Sequence, residues 1–194
     1  MSDHTAIIWF QVAGATVRII NCYSKHSVGL DHYINILDQE QKKWGYKYHK
    51  HFAPFDIKVR EWGAGAITRY EQARQLGVTF TPLEQLGLSE GINNVWMNFN
   101  KLYFDENNCR SLLDALQNYR REWDEIKKTH NNKPIHNWTS HYADAFRYLV
   151  QALPLCNFRT TTPQELERRF LETKVGDKSD DLFKMPRARS SDYY

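Results

Sequence analysis

No apolar run in this 194-residue chain approaches the ~18 residues that a membrane span needs, and no membrane partner is expected. The opening residues, MSDHTAIIWF, carry an acid and no basic stretch, so they are not a secretory signal. Cysteine is scarce: Cys22, Cys109 and Cys156 form no zinc-binding spacing and indicate a reducing compartment. The net charge of only +3 does not by itself establish a nucleic-acid partner.

What the chain does contain is a globular composition, with 41% hydrophobic and 14% aromatic residues. Two β-rich runs, 5–14 and 15–24, meet at a Gly14-Ala15 break and predict a hairpin. Strand and helix patterns alternate after it, which favours a mixed α/β sheet with helices on its faces. The pattern predicts, in order, helix 28–44, strand 46–52, helix 67–76, strand 78–83, and helices 90–104, 109–128, 140–153 and 160–172.

Two aspartates stand near predicted element ends, where α/β domains collect ligand chemistry. Asp56 follows strand 46–52, and Asp144 is placed at the opening of helix 140–153. Each also has a structural interpretation: Asp56 as a turn residue after Pro54, and Asp144 as an acid in the first turn of a helix. Their type and position leave both interpretations open.

Basic residues surround Asp56 in the sequence. Residues 41–75 hold eight basic and three acidic side chains, a net +5 against +3 for the whole chain. A basic stripe around a carboxylate suits a phosphodiester held beside a divalent metal. A solvated basic face is the alternative. The eight basic residues are Lys42, Lys43, Lys47, Lys50, Lys58, Arg60, Arg69 and Arg74.

Four segments, in the same order along the chain, resemble the large terminase subunits of phages. The resemblance covers roughly residues 3–153. The matching text begins with "TAIIWFQ" and "VGLDHYINIL", continues through "HFAPFDIKVREWGAGAITRYEQARQLGV" and "FDENNCRSLLDALQNYRREWDE", and ends with "HNWTSHYADAFRYL".

The resemblance implies a ribonuclease H-like fold and a nuclease that cuts concatemeric DNA with Mg²⁺ or Mn²⁺ held by acidic side chains. It implies that Asp56 is the second acid of that cluster and Asp144 the last, sharing a metal. Lys58, Arg60 and Arg69 are then expected to contact phosphates, and His141 to touch metal or phosphate. Double-stranded DNA, an ATPase domain, the small terminase subunit and the portal are the implied partners, in the host cytoplasm.

Several positions depart from the family pattern. The first acid of the family lies upstream of the segment matched here, and Asp3 is the only nearby acid, a weak third metal ligand. Phe55 stands where a His commonly precedes the second Asp, and no Walker A pattern occurs. We therefore expect a nuclease domain over 1–153 with an incomplete first strand and weak or absent activity, then a helix and mobile tail over 154–194.

Two rival hypotheses remain. In the first, the fold and the basic surface bind DNA but the incomplete acid cluster does not cut. In the second, the chain is an unrelated α/β interaction protein in which both aspartates are structural. Metal-dependent cleavage separates the nuclease from both rivals, and salt-dependent DNA binding separates the rivals from each other.

Overall fold

The computed structural model describes residues 4–60 and 67–156, which belong to one compact unit, Met1–Phe158. Asp3, the predicted helix 160–172 and the predicted tail 174–194 lie outside the described residues. The elements, in chain order, are β1 (His4–Ala13), β2 (Thr16–His26), α1 (Leu30–Trp44), β3 (His51–Ala53), a 3-10 turn (Phe55–Lys58), α2 (Arg69–Gln75), β4 (Phe80–Pro82), α3 (Leu88–Asn98), a second 3-10 turn (Phe99–Lys101), β5 (Leu102–Phe104), α4 (Arg110–Asn118), β6 (Arg121–Asp124), β7 (Thr129–Pro134), α5 (Trp138–Ala152) and a third 3-10 turn (Leu153–Leu155).

The predicted opening hairpin is confirmed. β1 and β2 pair antiparallel from His4 opposite His26 to Ala13 opposite Thr16, and Gly14 has a φ of 60° in the turn. This left-handed conformation is easy for glycine because it has no Cβ. The ladder shifts register between Trp9 and Phe10.

The strands mix parallel and antiparallel pairs, which confirms the predicted α/β class. β5 joins the hairpin in parallel beside β2, giving the order β1-β2-β5, while β3 and β4 form a separate parallel pair. Side chains connect the two ladders: the Phe10 and Phe52 rings lie 6.5 Å apart, and Trp9 Nε1 donates to the Tyr48 hydroxyl at 3.0 Å. The sheet therefore approaches the β3–β4 pair across a side-chain layer.

One apolar core fixes α4 and α5 against the hairpin. Phe146 is 1% exposed, and its ring lies 5.6 Å from Phe104 of β5. The core gathers residues from β2, β5, α4, α5 and the start of the third 3-10 turn: Val17, Ile19, Leu102, Cys109, Leu112, Ala115, Tyr142, Phe146, Leu149, Val150 and Leu153. Burial on this scale fixes the axis of α5 relative to the sheet.

Glycine ends two helices as predicted, though both begin two residues later than expected. Gly45 follows α1 with a φ of 69°, and Gly77, with a φ of 87°, lies two residues after the end of α2. The start of α2 is set by a capping box, in which Thr68 Oγ1 accepts from the Glu71 amide and the Glu71 carboxylate accepts from the Thr68 amide.

Three predicted elements are wrong in extent. The helix predicted over 109–128 ends at Asn118, and the β6–β7 hairpin follows it. The later apolar residues of that segment do not pack into the core: Trp123 is 45% and Ile126 95% exposed. Helix 90–104 ends at Asn98, since residues 102–104 pair with β2. Strand 46–52 reduces to His51–Ala53. None of the helices in the described part is long and apolar enough to cross a membrane.

Candidate active site

Asp56 lies in a short 3-10 turn directly after β3. Pro54 ends the strand with an extended ψ of 160°, and the Val59 amide donates to the Asp56 carbonyl at 2.8 Å to close the turn. Ile57, at 8% exposed, anchors the turn below, while Asp56 itself is exposed. A carboxylate placed this way keeps its oxygens available to solvent and to a cation.

Asp144 does not open α5, so the predicted placement at a helix start is wrong. Helix α5 begins at Trp138, and Asn137 caps it: Asn137 Oδ1 accepts from the Thr139 amide at 3.0 Å. The helix begins two residues before the predicted start at 140 because Asn137 caps it. Asn is among the side chains best suited to accept hydrogen bonds from the first free amides of a helix. Asp144 therefore lies in the second turn, on a helix held by the core described above.

An arginine one turn further along α5 pairs with Asp144. Arg147 Nη2 lies 2.5 Å from Asp144 Oδ1, with the Arg147 side chain 16% and the Asp144 side chain 42% exposed. The guanidinium fits against α3 at Gly91, where an added Cβ would come within 3.0 Å of Arg147 Nη1. Arg147 thus fixes one Asp144 oxygen while the side chain stays partly open to solvent.

The charges of both aspartates act on one tyrosine. Burial is the largest cause of the raised pKa of the Tyr148 hydroxyl. The negative charges of Asp56 and Asp144 raise this pKa further, and the positive charge of Arg147 lowers it. Asp56 lies in the turn that follows β3, and β3 contacts α5, the helix that carries both Asp144 and Tyr148. Sequence reasoning did not single out Tyr148, because its neighbours come from segments about 90 residues apart.

The basic residues near Asp56 are all exposed, and part of them cluster. Arg60 forms an isolated bridge with Thr68, the residue before Arg69. Hydrogen bonds with Thr68 lower the pKa of the Glu71 carboxyl, and the positive charges of Arg60 and Arg74 lower it further. Lys58 is the last residue of the turn that carries Asp56. Other members of the stripe are engaged elsewhere: Lys42 pairs with Asp38, and Lys50 donates to the Leu155 carbonyl.

His141 belongs to a row of four imidazoles at the start of α5. Its ring stacks on His4 of β1 at 4.9 Å and meets His136 edge-on at 5.6 Å, and His4 lies 4.6 Å from His26. His141 and Asp144 lie one turn apart in α5. His4, His26 and His136 were not singled out from the sequence as site residues. No local signal identifies them, because strand pairing and the docking of α5 bring them together.

The donor set at Asp56 and Asp144 suits a hard divalent cation in kind, since carboxylate oxygens are the ligands that Mg²⁺ and Mn²⁺ favour. Over residues 4–60 and 67–156, no three His, Cys, Asp or Glu side chains are arranged to hold a metal ion.

Solved structures share this architecture. The large terminase of a thermophilic bacteriophage matches 79% of this chain with a TM-score of 0.57 and 17% identity. The nuclease domain of the large terminase of bacteriophage SPP1, solved with bound Mn, matches 79% of this chain and 80% of its own length, with a TM-score of 0.50 and 12% identity. The fold is that of a large terminase nuclease domain, ribonuclease H-like.

The terminase nuclease fold accounts for only part of the longer neighbour, since this chain spans 37% of the large terminase from the thermophilic phage. At this level of identity the likeness establishes the fold alone. No protein-family model and no curated protein sequence matches the chain.

Proposed function

We propose that this chain is a metal-dependent endonuclease domain of a phage DNA-packaging terminase that cuts concatemeric DNA. The observations that carry the proposal are the terminase nuclease fold and the place of the two acids in it. Asp56 lies in the turn that follows β3, and β3 contacts α5, the helix that carries Asp144.

In the proposed site Asp56 and Asp144 hold Mg²⁺ or Mn²⁺, and Asp3, which lies outside the described residues, is a weaker third ligand. When bound, such ions activate water and stabilise the leaving oxygen of a phosphodiester. Arg147 orients Asp144 through its ion pair, which leaves the second oxygen of Asp144 for the cation. His141, one turn from Asp144, is proposed to contact metal or phosphate.

Plasmid nicking tests the proposed reaction. With protein in excess over supercoiled plasmid, we expect slow conversion to open circles in Mn²⁺. The conversion should be slow because the Asp56 and Asp144 carboxylates alone hold the ion weakly. EDTA should stop the conversion, and so should Asp56→Asn or Asp144→Asn, since each substitution removes a ligand charge. Asp38→Asn is the matched control, an exposed acid paired with Lys42.

Two results would count against the nuclease. Nicking that persists in Asp144→Asn would remove that residue from the site. A wild-type protein that binds DNA but never nicks it at saturating Mn²⁺ would favour the rival binding module.

DNA contact by Lys58, Arg60 and Arg69 is the second part of the proposal. All three side chains are exposed. Lys58 lies in the turn that carries Asp56, Arg60 follows that turn, and Arg69 begins α2, which packs against it. A double variant, Lys58→Ala with Arg60→Ala, should weaken binding to all sequences alike. It should also reduce the slope of log affinity against log salt by up to about 2, since each phosphate contact contributes about 0.9.

The control for that measurement removes the same charge from another surface. Arg18 of β2 and Lys101 before β5 are both exposed, and Arg18→Ala with Lys101→Ala should leave the slope nearly unchanged. Equal losses in the two double variants would show that binding follows net charge rather than the proposed surface.

The wider assembly is proposed by analogy with the terminase fold. The chain spans about a third of the large terminase from the thermophilic phage, so an ATPase domain, the small terminase subunit, the portal and a host-cytoplasmic setting all belong to the proposal. Double-stranded DNA is the partner on which the experiments above bear directly.

A further inference from the structure

Two cysteines that are distant in the sequence meet in the fold. Cys22 lies in β2, and Cys109 is the residue that precedes α4. The Cys109 thiol donates to the Ile19 carbonyl of β2 at 3.5 Å, while the Cys22 thiol reaches the Asn108 carbonyl at 3.6 Å. Each thiol therefore bonds to a carbonyl close in sequence to the other cysteine, which places both side chains between β2 and the start of α4.

The two sulfurs have unequal surroundings. Cys22 is half-buried, whereas Cys109 is 0% exposed. The hydrogen bond from Cys109 lowers the pKa of Cys22 to about 7 against the effect of burial, helped by the Leu112 amide in the first turn of α4 and by the Tyr142 hydroxyl. A thiolate is the nucleophilic form of cysteine, and helix N-termini stabilise it.

The pKa of the Cys109 thiol is shifted in the opposite direction from that of Cys22. Its hydrogen bond with Cys22, then burial, and then the Cys22 charge raise the pKa of its thiol. Neutralising Cys22 removes the charge that acts on Cys109. The third cysteine, Cys156, donates to the Ala152 carbonyl at 3.4 Å, and burial raises the pKa of its thiol.

We propose that Cys22 and Cys109 form an oxidisable dithiol, in which a peroxide oxidises Cys22 and Cys109 resolves the product to a disulfide linking β2 to α4. The half-buried position of Cys22 admits a reagent as small as hydrogen peroxide, while the fully buried Cys109 is reached by Cys22 alone. This modification is independent of the proposed nuclease reaction.

The chemistry balances in two steps. The Cys22 thiolate attacks one peroxide oxygen, the O–O bond breaks, and hydroxide leaves, giving a sulfenic acid. Cys109 then loses its proton and attacks the Cys22 sulfur; the S–S bond forms, the S–O bond breaks, and the hydroxide takes that proton to leave as water. The hydroxide from the first step takes up the proton that Cys22 released when it became a thiolate. Two thiols therefore lose two electrons, and one peroxide is reduced to two waters.

Peptide mapping of the folded full chain tests the pair. After brief treatment with hydrogen peroxide and alkylation of the remaining thiols, non-reducing digestion should yield one cross-linked species that joins the Cys22 and Cys109 peptides. Cys156 should remain alkylated. Cross-links that involve Cys156, or equal oxidation of all three cysteines, would overturn the proposal.

Three variants and a pH profile assign the roles. Cys156→Ser should keep the cross-link, Cys22→Ser should leave Cys109 unoxidised, and Cys109→Ser should stop at a Cys22 sulfenic acid that dimedone traps. In the Cys156→Ser protein, the rate of Cys22 alkylation should rise with pH through about 7, because the thiolate forms there. A rise that is centred near the ordinary thiol pKa, with no disulfide, would refute the dithiol.

Discussion

The two proposed metal ligands come from regions that are packed very differently. Asp144 belongs to the hairpin core, which we define as β1, β2, β5, α4 and α5, where Phe146, Ile19 and Leu112 are almost completely buried. Asp56 belongs to the Asp56 segment, residues 51–60 and 67–83 of the described chain. Its buried apolar residues are Ala53, Ile57, Ala73 and Leu83, and two of these are alanines. The segment therefore buries far less apolar area around its acid.

This difference implies different roles for Asp144 and Asp56. A carboxylate fixed by a dense core and by the Arg147 ion pair supplies a rigid reference point for the site. A carboxylate on a 3-10 turn with light packing adapts more easily to a bound ion or to DNA, because few buried contacts oppose small shifts. Substitutions in the hairpin core should consequently affect stability, and those around Asp56 should affect function.

The largest effect expected from this comparison is on stability. Phe146→Ala should lower the free energy of unfolding by about 3–5 kcal/mol, since it removes a fully buried aromatic ring and leaves a cavity. Phe55→Ala, beside Asp56, should change it by less than about 1 kcal/mol because the Phe55 side chain is 37% exposed. Urea unfolding followed by circular dichroism measures both.

Similar losses in the two phenylalanine variants would break the comparison. They would show that the Asp56 segment is as tightly coupled to the fold as the hairpin core is. If the slope of the unfolding free energy against urea concentration changed while the midpoint did not, the substitution would have altered the unfolded state instead.

A smaller effect is expected at two arginines. Arg147→Ala should cost about 1 kcal/mol of stability, because it removes a mostly buried side chain and the partner of a partly exposed acid. Arg60→Ala should stay within about 0.5 kcal/mol, since Arg60 is exposed. The same urea titrations apply, and an Arg60 variant less stable than the Arg147 variant would contradict the account.

Local signals in the sequence predicted much of the fold. The Gly14-Ala15 break placed the hairpin turn, and Gly45 and Gly77 marked the ends of two helices, because each of these glycines adopts a positive φ. The helix predicted over 109–128 failed beyond Asn118 because periodicity does not report which residues the core receives; Trp123 instead faces His130 across the β6–β7 hairpin, with ring centroids 5.0 Å apart.

Features that depend on contacts between distant segments were missed. Asp144 was assigned to a helix start because Asn137, the residue that caps α5, was not recognised as the cap. The approach of Cys22 to Cys109 depends on how α4 docks against β2, and the row from His26 to His136 depends on how α5 meets the hairpin. No spacing in a single sequence encodes these meetings.

Mn²⁺ binding tests the central claim most directly, that the two regions supply ligands to one ion. Calorimetric titration of the wild type, Asp56→Asn, Asp144→Asn and the double variant forms a thermodynamic cycle. We predict that each single substitution lowers the Mn²⁺ affinity by about tenfold or more, and that the double variant is little weaker than either single one. Losses that simply add, or a wild type that binds no Mn²⁺, would contradict a shared site.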